Sequence, residues 1–408
     1  MLNLLLSFAS VMKSIGGVAL AIVVLLVMVT IHEFGHYVVG KWLGFRINEF
    51  AVGFGPAILK KRSKKTGELF SLRAIPLGGF CAFDGEDDTG EEAEKAPDPF
   101  DGEYEAENEK EGGMVEANDA FPTPKGARFN DQAPWKRILV LIAGALMNYI
   151  LALFLIVTLF ASYGRPVYEV VIGDVDETRI ESVEETAFLS GDVILKIDGK
   201  NVYMITDYMD VLDGRKKGES VNVLVLRGGT EQTISVTLLE NADFVNMSDT
   251  RTLLFSLGIA DRDADGNVVR SGGLYTVSQK SGFFGTIGHS FAYSWKIGGT
   301  VLRSLGELLT GKLGLEAMGG PITTIKITSE IASSGFASLL NIASFIGVNL
   351  AVFNLLPIPA LDGSKVIFCL IEWIRKKPVN RKVETMIHFI GILFLFGFAI
   401  LVDLLQLF

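Results

Sequence analysis

Residues 15–39 read IGGVALAIVVLLVMVTIHEFGHYVV, an apolar run in which no charged side chain precedes Glu33. A helix of this length spans roughly the 30 Å hydrocarbon core of a bilayer. The run closes with an HExxH motif at 32–36, whose His32 and His36 are four residues apart and share one helix face. Both imidazoles can reach one Zn²⁺, and Glu33 lies where it can take a proton from water. The sequence predicts a hydrolytic zinc site whose substrate is cut in or near a membrane.

Composition favours a membrane protein over a nucleic-acid-binding protein. Of 408 residues, 49% are hydrophobic. The formal net charge of −10 has a local origin, because residues 84–119 contain 16 acidic residues and two lysines, a charge of −14. The rest of the chain therefore carries a net charge of about +4 (−10 minus −14) and lacks the pattern of basic residues typical of nucleic-acid-binding proteins. Cys81 and Cys369 lack CxxC or CxxH neighbours, so neither a disulfide framework nor a cysteine zinc site is indicated.

Four stretches are long and apolar enough to cross a bilayer. They are residues 15–39, 138–163, 336–356 and 385–401. A fifth apolar stretch, 283–309, contains histidine, lysine, arginine and glutamate, which indicate an amphipathic helix at the membrane interface.

Basic residues predict the orientation of these spans. Lysines and arginines cluster in the loop after the first span and between the third and fourth spans. By the positive-inside rule both loops are cytoplasmic, and the acidic run 84–119 contributes little to orientation. The N-terminus, the segment 165–335 and the C-terminus are then expected outside.

The outer segment begins with a β-rich module at 166–240. Within it, residues 190–199 read SGDVILKIDG, an apolar alternation closed by an Asp-Gly turn. Peptide binding by strand addition at an edge of this module stays open. Residues 241–282 show little beyond turns.

The HExxH motif supplies two zinc ligands, so a third must come from elsewhere. His289 and His388 are the remaining histidines, and we expect each to be an ordinary interfacial or packed side chain. Asp362 is the better candidate, because a carboxylate at the end of a span is costly unless it binds a cation or faces water. The prolines at 357 and 359 break the helix just before it. The alternative is an aspartate that caps a helix at the interface.

Several motifs together resemble the site-2 protease family of intramembrane zinc metalloproteases, and within it the bacterial RseP/RasP group. They read HEFGH at 32–36, VGFGP at 52–56, IPLGGF at 75–80, SFIGVNLAVFN at 344–354 and NLLPIPALDG at 354–363. The outer module is similar to a PDZ domain, with Ser190 where proline is usual. The resemblance covers nearly the whole chain.

The resemblance implies a role for each matching residue. One Zn²⁺ would be bound by His32, His36 and Asp362, with Glu33 as the general base. Asn354 would contact substrate or polarise the scissile carbonyl. Residues 53–56 and 75–80, which include Gly78 and Gly79, would form strands whose edge pairs with an unwound substrate.

The resemblance also implies partners. Substrates would be single-span membrane proteins, such as anti-sigma factors or remnant signal peptides, first trimmed by a site-1 protease. The PDZ-like module would filter substrates outside the bacterial cell membrane, while the active site faces the cytoplasmic side.

The expected fold is a mainly α-helical polytopic membrane protein of four spans, with a cytoplasmic-side re-entrant β-element and an inserted extracytoplasmic PDZ-like β-rich domain. The predicted parts are the first span (1–45), the re-entrant β-element (46–83), a disordered acidic cytoplasmic loop (84–130), the second span (131–165), the PDZ-like domain (166–240), a remnant region (241–282), the interfacial helix with a linker (283–335), and the third and fourth spans (336–408).

Two features depart from the family pattern. Ser364 replaces the second glycine that usually follows the aspartate, which bears on local geometry but leaves Asp362 in place. The acidic stretch 84–119 is an insertion, either a solvated loop or a regulatory contact with basic partners or divalent ions.

Two other classes of function are the alternatives. A catalytically inactive membrane scaffold with a partner-binding PDZ-like module predicts a broken catalytic set, yet the set is complete. A zinc transporter or sensor predicts further polar residues along the spans, where they are scarce.

Overall fold

The computed structural model describes residues 2–86, 121–176, 178, 184–245, 249–263, 265–314 and 319–406, with the backbone alone for residues 2–14 and Leu77. The chain divides into two compact units. The first comprises Met1–Leu155 with Glu316–Phe408, and the second comprises Ile156–Leu315.

The helices and strands are defined in chain order. The helices are α1 (Leu2–Trp42), α2 (Pro134–Tyr163), α3 (Ile205–Leu212), α4 (Thr250–Ser256), α5 (Phe283–Leu309), α6 (Pro321–Ala332), α7 (Phe336–Leu355), α8 (Asp362–Arg375) and α9 (Arg381–Leu405). The strands are β1 (Ile47–Arg62), β2 (Leu69–Phe83), β3 (Arg165–Val175), β4 (Val193–Ile197), β5 (Lys200–Asn201), β6 (Ser220–Arg227), β7 (Thr230–Thr237), β8 (Asp261–Arg262) and β9 (Val268–Gln279). A short 3₁₀ helix covers Phe129–Asp131.

Four of the described helices are long and apolar enough to cross a membrane, and they coincide with the four predicted spans. Their apolar segments are Ile15–Trp42, Pro134–Tyr163, Phe336–Leu355 and Arg381–Leu405. In the most apolar window of α9 only 11% of the residues are buried inside the protein. Such an exposed apolar surface is stable where lipid rather than water surrounds it.

Small residues let the helices of the first unit approach closely. A Cβ at Gly35 of α1 would lie 2.8 Å from the carbonyl carbon of Ala143 in α2, so only glycine fits there. Met28 of α1 packs with Ile346 of α7 in a buried apolar cluster. Asp403 at the end of α9 accepts hydrogen bonds from backbone N–H groups in the first turn of α6, which would otherwise lack partners.

Strands β1 and β2 form a long antiparallel hairpin beside α1. Its register places Val52 opposite Gly79 and Phe54 opposite Ile75, with repeated irregularities between them. These are the two motif segments for which the resemblance predicted strands. Their placement on the cytoplasmic side as a re-entrant element stays a prediction.

One end of the predicted disordered loop is ordered. Residues 87–120, which carry most of the acidic run, lie outside the described residues. Phe129, however, belongs to the stretch 84–130 and is only 4% exposed, packed against Phe45 and Phe83. Phe129 thus belongs to a buried aromatic cluster with Phe45 and Phe83, although it lies within the stretch predicted to be a loop.

The second unit is built around a sheet of order β7-β6-β4-β3-β9-β8, with β5 paired to β4. The stretch 166–240, predicted to be β-rich, contains β4, β6 and β7 and all of β3 but its first residue. Strand β9 pairs along most of β3, from Arg165 opposite Gln279 to Ile172 opposite Gly272. Strands β8 and β9, which follow residue 240, thus share one sheet with the strands that precede it. The sequence concealed this because Ser271-Gly272-Gly273 interrupts the apolar alternation of β9.

Helix α5 has the bounds predicted for the amphipathic segment. Ser290 and Tyr293 are buried, whereas Phe284 and Trp295 are 86% and 73% exposed. Lys296, on the same helix, forms an ion pair with Asp207 at 2.7 Å. Location at a membrane interface stays a prediction.

Candidate metal centre

Helix α1 presents its two motif histidines side by side. His32 and His36 are both buried, and their Nε2 atoms lie 3.1 Å apart. The rings meet nearly at right angles, with an interplanar angle of 83°. One helical turn separates the residues, so the pair follows directly from the spacing of the motif.

Asp362 completes the group from a point 330 residues beyond His32. It is the first residue of α8, and Leu361 before it is extended, as is typical of the residue that precedes a helix. One carboxylate oxygen, Oδ2, lies 2.9 Å from Nε2 of His32 and 3.3 Å from Nε2 of His36.

The three donor atoms fit a divalent metal. The ligand atoms of His32, His36 and Asp362 all lie within 4.8 Å of one another. Their separations of 2.9, 3.1 and 3.3 Å approach the edge of a tetrahedron with bonds of about 2 Å, which is roughly 3.3 Å. Two nitrogens and one carboxylate oxygen are a donor set that leaves a fourth position of a zinc site open.

A backbone carbonyl orients the second histidine. Nδ1 of His36 lies 2.8 Å from the carbonyl oxygen of Val140. Because a carbonyl oxygen only accepts, Nδ1 must carry the proton, and the lone pair of neutral His36 is then at Nε2. This is the arrangement in which a histidine binds metal through Nε2.

A glycine of helix α2 leaves room for the two imidazoles, a feature that the sequence did not indicate. A Cβ at Gly144 would lie 2.7 Å from Cε1 of both His32 and His36, and closer still to Nε2 of His36. Any side chain at this position would fill the volume that the imidazoles occupy. The missed signal was a small pair, Ala143-Gly144, on the second span.

Glu33 lies at a cavity beside the metal-binding group that has both charged and apolar side chains in its wall. The cavity has a volume of about 380 Å³ and is lined by Glu33, His36 and Asp362, by residues 80–83 of β2, and by an ion pair between Lys365 and Glu86 at 2.6 Å. Water can therefore reach both the candidate base and the candidate ligands.

The two predicted substrate-binding glycines lie in β2 next to this group. A Cβ at Gly79 would lie 2.8 Å from the carbonyl oxygen of Ala51 and 3.5 Å from Cγ of Glu33. Gly78 has φ of +150° and faces the ring of Phe54, which leaves no room for a Cβ. The hairpin backbone at Gly79 thus lies directly beside the candidate base.

Asn354 is at the end of α7, half-buried, with Nδ2 3.5 Å from Nδ1 of His32. A second asparagine, Asn148 of α2, brings its Nδ2 to 3.4 Å from the same atom and is fully buried. Sequence reasoning did not single out Asn148. The available signal was a lone polar side chain in an uncharged span, which is expensive in lipid without a partner.

The other histidines are not part of this group. His289 belongs to the second unit, where Nδ1 lies 2.9 Å from the hydroxyl of Tyr203. His388 in α9 accepts a hydrogen bond from the backbone N–H of Ala360 at 3.2 Å. The structure therefore groups Asp362, and neither histidine, with the HExxH pair.

Known proteins are similar to this chain along most of its length. Residues 20–398 match Peptidase family M50. A putative zinc metalloprotease of Agrobacterium fabrum is 29% identical over 391 residues, covering 93% of this chain and 92% of the relative. Zinc metalloprotease RasP of Bacillus licheniformis is 29% identical over 417 residues, with coverage of 90% and 93%. The regulator of sigma-W protease RasP of Bacillus subtilis is 28% identical over 416 residues, with coverage of 90% and 92%.

The matched residues, 20–398, contain both the HExxH motif and Asp362, and so all three side chains of the metal-binding group. The names of the relatives agree with the donor set in requiring zinc. The chain is thus a multi-pass membrane protein that belongs to peptidase family M50, the site-2 proteases, and acts as a zinc metalloprotease.

Proposed function

We propose that this protease hydrolyses a peptide bond inside the transmembrane segment of a single-span membrane protein. The observation that carries the proposal is the position of the donor group, in which His32, His36 and Asp362 converge on a helix that is apolar from Ile15 onward. A hydrolytic site in these surroundings is suited to a substrate that lies in the same bilayer.

His32, His36 and Asp362 would hold one Zn²⁺. When bound, the ion supplies a Lewis acid that polarises the scissile carbonyl and lowers the pKa of water. Glu33, at the wall of the cavity beside the metal-binding group, accepts a proton from the attacking water and returns it to the leaving nitrogen. Asn354 would contact the substrate, which its proximity to His32 and its partial exposure support.

The hairpin would hold the substrate in extended form. A transmembrane helix satisfies its backbone groups internally, so each bond broken on unwinding needs a replacement partner. The close approach of Gly79 to Glu33 supports an extended substrate beside β2, with main-chain pairing in place of helical hydrogen bonds. Gly78 and Gly79 would contact that backbone because neither carries a side chain.

The wider role we infer is regulated intramembrane proteolysis. One relative is named as a regulator of sigma-W protease, which supports anti-sigma factors as substrates, and remnant signal peptides fit the same single-span class. The basic loops support an active site toward the cytoplasm and a PDZ-like module outside. That module would admit substrates already trimmed by a site-1 protease.

The test is a Glu33→Gln variant co-expressed with a single-span substrate. We expect cleavage to fall by at least about 10³-fold while bound zinc stays near one per chain, since removal of a general base leaves the ligands intact. Asp362→Asn, measured for zinc content, should lose metal. Cleavage that persists in Glu33→Gln would contradict the assigned base, and unchanged zinc in Asp362→Asn would contradict the third ligand.

A further inference from the structure

The fully buried Asn148 has an amide oxygen without a partner. Its Oδ1 is buried and makes no hydrogen bond with any residue in the described part of the chain. Its nitrogen, Nδ2, instead faces Nδ1 of His32 at 3.4 Å. An unsatisfied amide oxygen in an apolar helix bundle costs about 1–3 kcal/mol. A fully buried asparagine is not expected to carry that cost when a hydrogen bond is within reach.

The proton of His32 explains which way this amide must face. Nε2 of His32 points toward Oδ2 of Asp362 and Nε2 of His36, at 2.9 and 3.1 Å. A metal bound there takes the lone pair of Nε2, so neutral His32 carries its proton on Nδ1. An N–H on Nδ1 cannot form a hydrogen bond with the NH₂ group of Asn148, because both are donors.

Rotation of the amide by 180° resolves both conflicts at once. It puts Oδ1 of Asn148 where Nδ2 was and Nδ2 where Oδ1 was, and the outline of the side chain stays the same. Hydrogen bonding decides between the two orientations. Oδ1 then lies about 3.4 Å from Nδ1 of His32 and accepts its proton. The amide oxygen gains the His32 N–H as a partner and the histidine gains an acceptor, while the NH₂ group takes the position that the oxygen held.

Asn354 is less suited to this task. It is slightly farther from Nδ1 of His32, at 3.5 Å, and it is half-buried, whereas Asn148 is 0% exposed. The single N–H of His32 can serve one acceptor well, and only Asn148 has an orphaned oxygen to satisfy. Asn148 therefore accepts the hydrogen bond from His32, and Asn354 stays available to contact the substrate.

We propose that Asn148 is a positioning residue whose amide oxygen accepts a hydrogen bond from Nδ1–H of His32 and so directs the Nε2 lone pair to the metal. The inference rests on the zinc site of the proposed function. It adds a contribution of the second span to metal binding through His32, in the way that carbonyl and carboxylate acceptors orient metal-bound histidines.

Two substitutions of similar size test whether a hydrogen-bond acceptor is needed at position 148. Asn148→Asp keeps an oxygen acceptor, and Asn148→Leu removes it. In the purified full-length protein in detergent, we expect Asn148→Leu to raise the zinc dissociation constant about 10- to 100-fold in chelator competition and to shift the visible absorption bands of the Co²⁺-loaded protein. Asn148→Asp should stay within a few-fold of the unaltered protein. Asn354→Leu is the matched control and should retain metal.

Three results would overturn the proposal. They are unchanged metal affinity and Co²⁺ spectrum in Asn148→Leu, an equal loss in Asn148→Asp, or an equal loss in Asn354→Leu. Failure of the unaltered protein to bind zinc would instead overturn the proposed zinc site itself, so the two failures are distinguishable.

A measurement on the native Asn148 covers the case in which its variants do not fold. In a His289→Gln, His388→Gln protein, only the two motif histidines remain. Their ¹⁵N spectrum with zinc bound should show both protonated at Nδ1, and the Nδ1–H proton of each should be shifted downfield by its hydrogen bond, that of His36 to Val140 and that of His32 to Asn148. An Nδ1–H proton of His32 that resonates as an imidazole N–H without a hydrogen bond would contradict the proposal.

Discussion

Gly144 shows how strongly a single residue position limits the site. Any Cβ there would collide with both imidazoles, being 2.7 Å from Cε1 of His32 and of His36. We expect Gly144→Ala to displace the histidines and to lower zinc occupancy at least about tenfold, as removal of a metal-orienting contact does. Zinc content of the purified protein measures this.

The matched control for Gly144 is Gly397→Ala, a helical glycine in α9 with no atom within 4 Å of the added Cβ. It should keep zinc and gain slightly in helix propensity, by about 1 kcal/mol at most. Equal zinc content in Gly144→Ala and the unaltered protein would contradict the close packing of α2 on the histidines.

Ser364, the departure from the family pattern, is accommodated by helix geometry. It lies in the first turn of α8, is 5% exposed, and its hydroxyl donates to the carbonyl oxygen of Leu361 at 2.8 Å. Among the described non-glycine residues, positive φ occurs at Asp198, Ala360 and Lys376, and Ser364 is not one of them. A serine therefore needs no glycine-like backbone at this point.

At the scale of elements, an ion pair ties the start of β4 to the end of β6. Both carboxylate oxygens of Asp192 accept from Arg227, at 2.7 and 2.6 Å, and Asp192 also accepts from the backbone N–H of Leu189 at 2.9 Å. Burial raises the pKa of Asp192, but these hydrogen bonds outweigh burial and lower it below its usual value. Because the pKa is lower in the folded state, the stabilisation is full above the unfolded pKa and is lost as pH falls through the folded value.

We expect Arg227→Met to destabilise the second unit by about 2 kcal/mol near neutral pH, since it leaves the carboxylate of Asp192 without its charged partner. Hydrogen exchange of β4 and β6 in the full-length protein measures the loss, which should shrink in acid where Asp192 is protonated in both states. Arg215→Met is the control, because its pair with Asp198 is more exposed and is worth about 1 kcal/mol or less. Equal exchange rates in the two variants would contradict the assigned stabilisation.

At the scale of the whole molecule, the basic loops predict which side of the membrane each segment faces. Cys81 and Cys369 are buried, so an introduced cysteine can be labelled over a low background. We expect Thr230→Cys in the second unit to react with a membrane-impermeant maleimide on intact cells. Lys377→Cys, between α8 and α9, should react only after the cells are opened.

The reverse labelling pattern would place the metal-binding group toward the outside and would contradict the predicted orientation. Labelling of both cysteines on intact cells would indicate leaky cells, which a cytoplasmic marker protein detects. Both introduced positions are exposed, so burial does not explain a lack of reaction.

Local periodicity made much of this protein predictable. Span lengths depend only on the run of apolar residues, and the pairing of His32 with His36 depends only on helical spacing. The strands of the second unit were likewise visible wherever apolar residues alternate. Strand β9 was not predicted because its glycines interrupt the alternation of apolar residues. Its place beside β3 depends on pairing between residues about 100 positions apart in the sequence, such as Ile172 and Gly272.

The amino-acid sequence by itself determined four apolar spans, the two histidines, the base beside them and a candidate third ligand. Only the tertiary structure decided that Asp362 meets the histidines, 330 residues from His32, and that Gly144 and Asn148 of the second span complete their surroundings. The physical reason is that helical spacing acts within a few residues, whereas a site shared by several helices exists only once their small residues allow close packing.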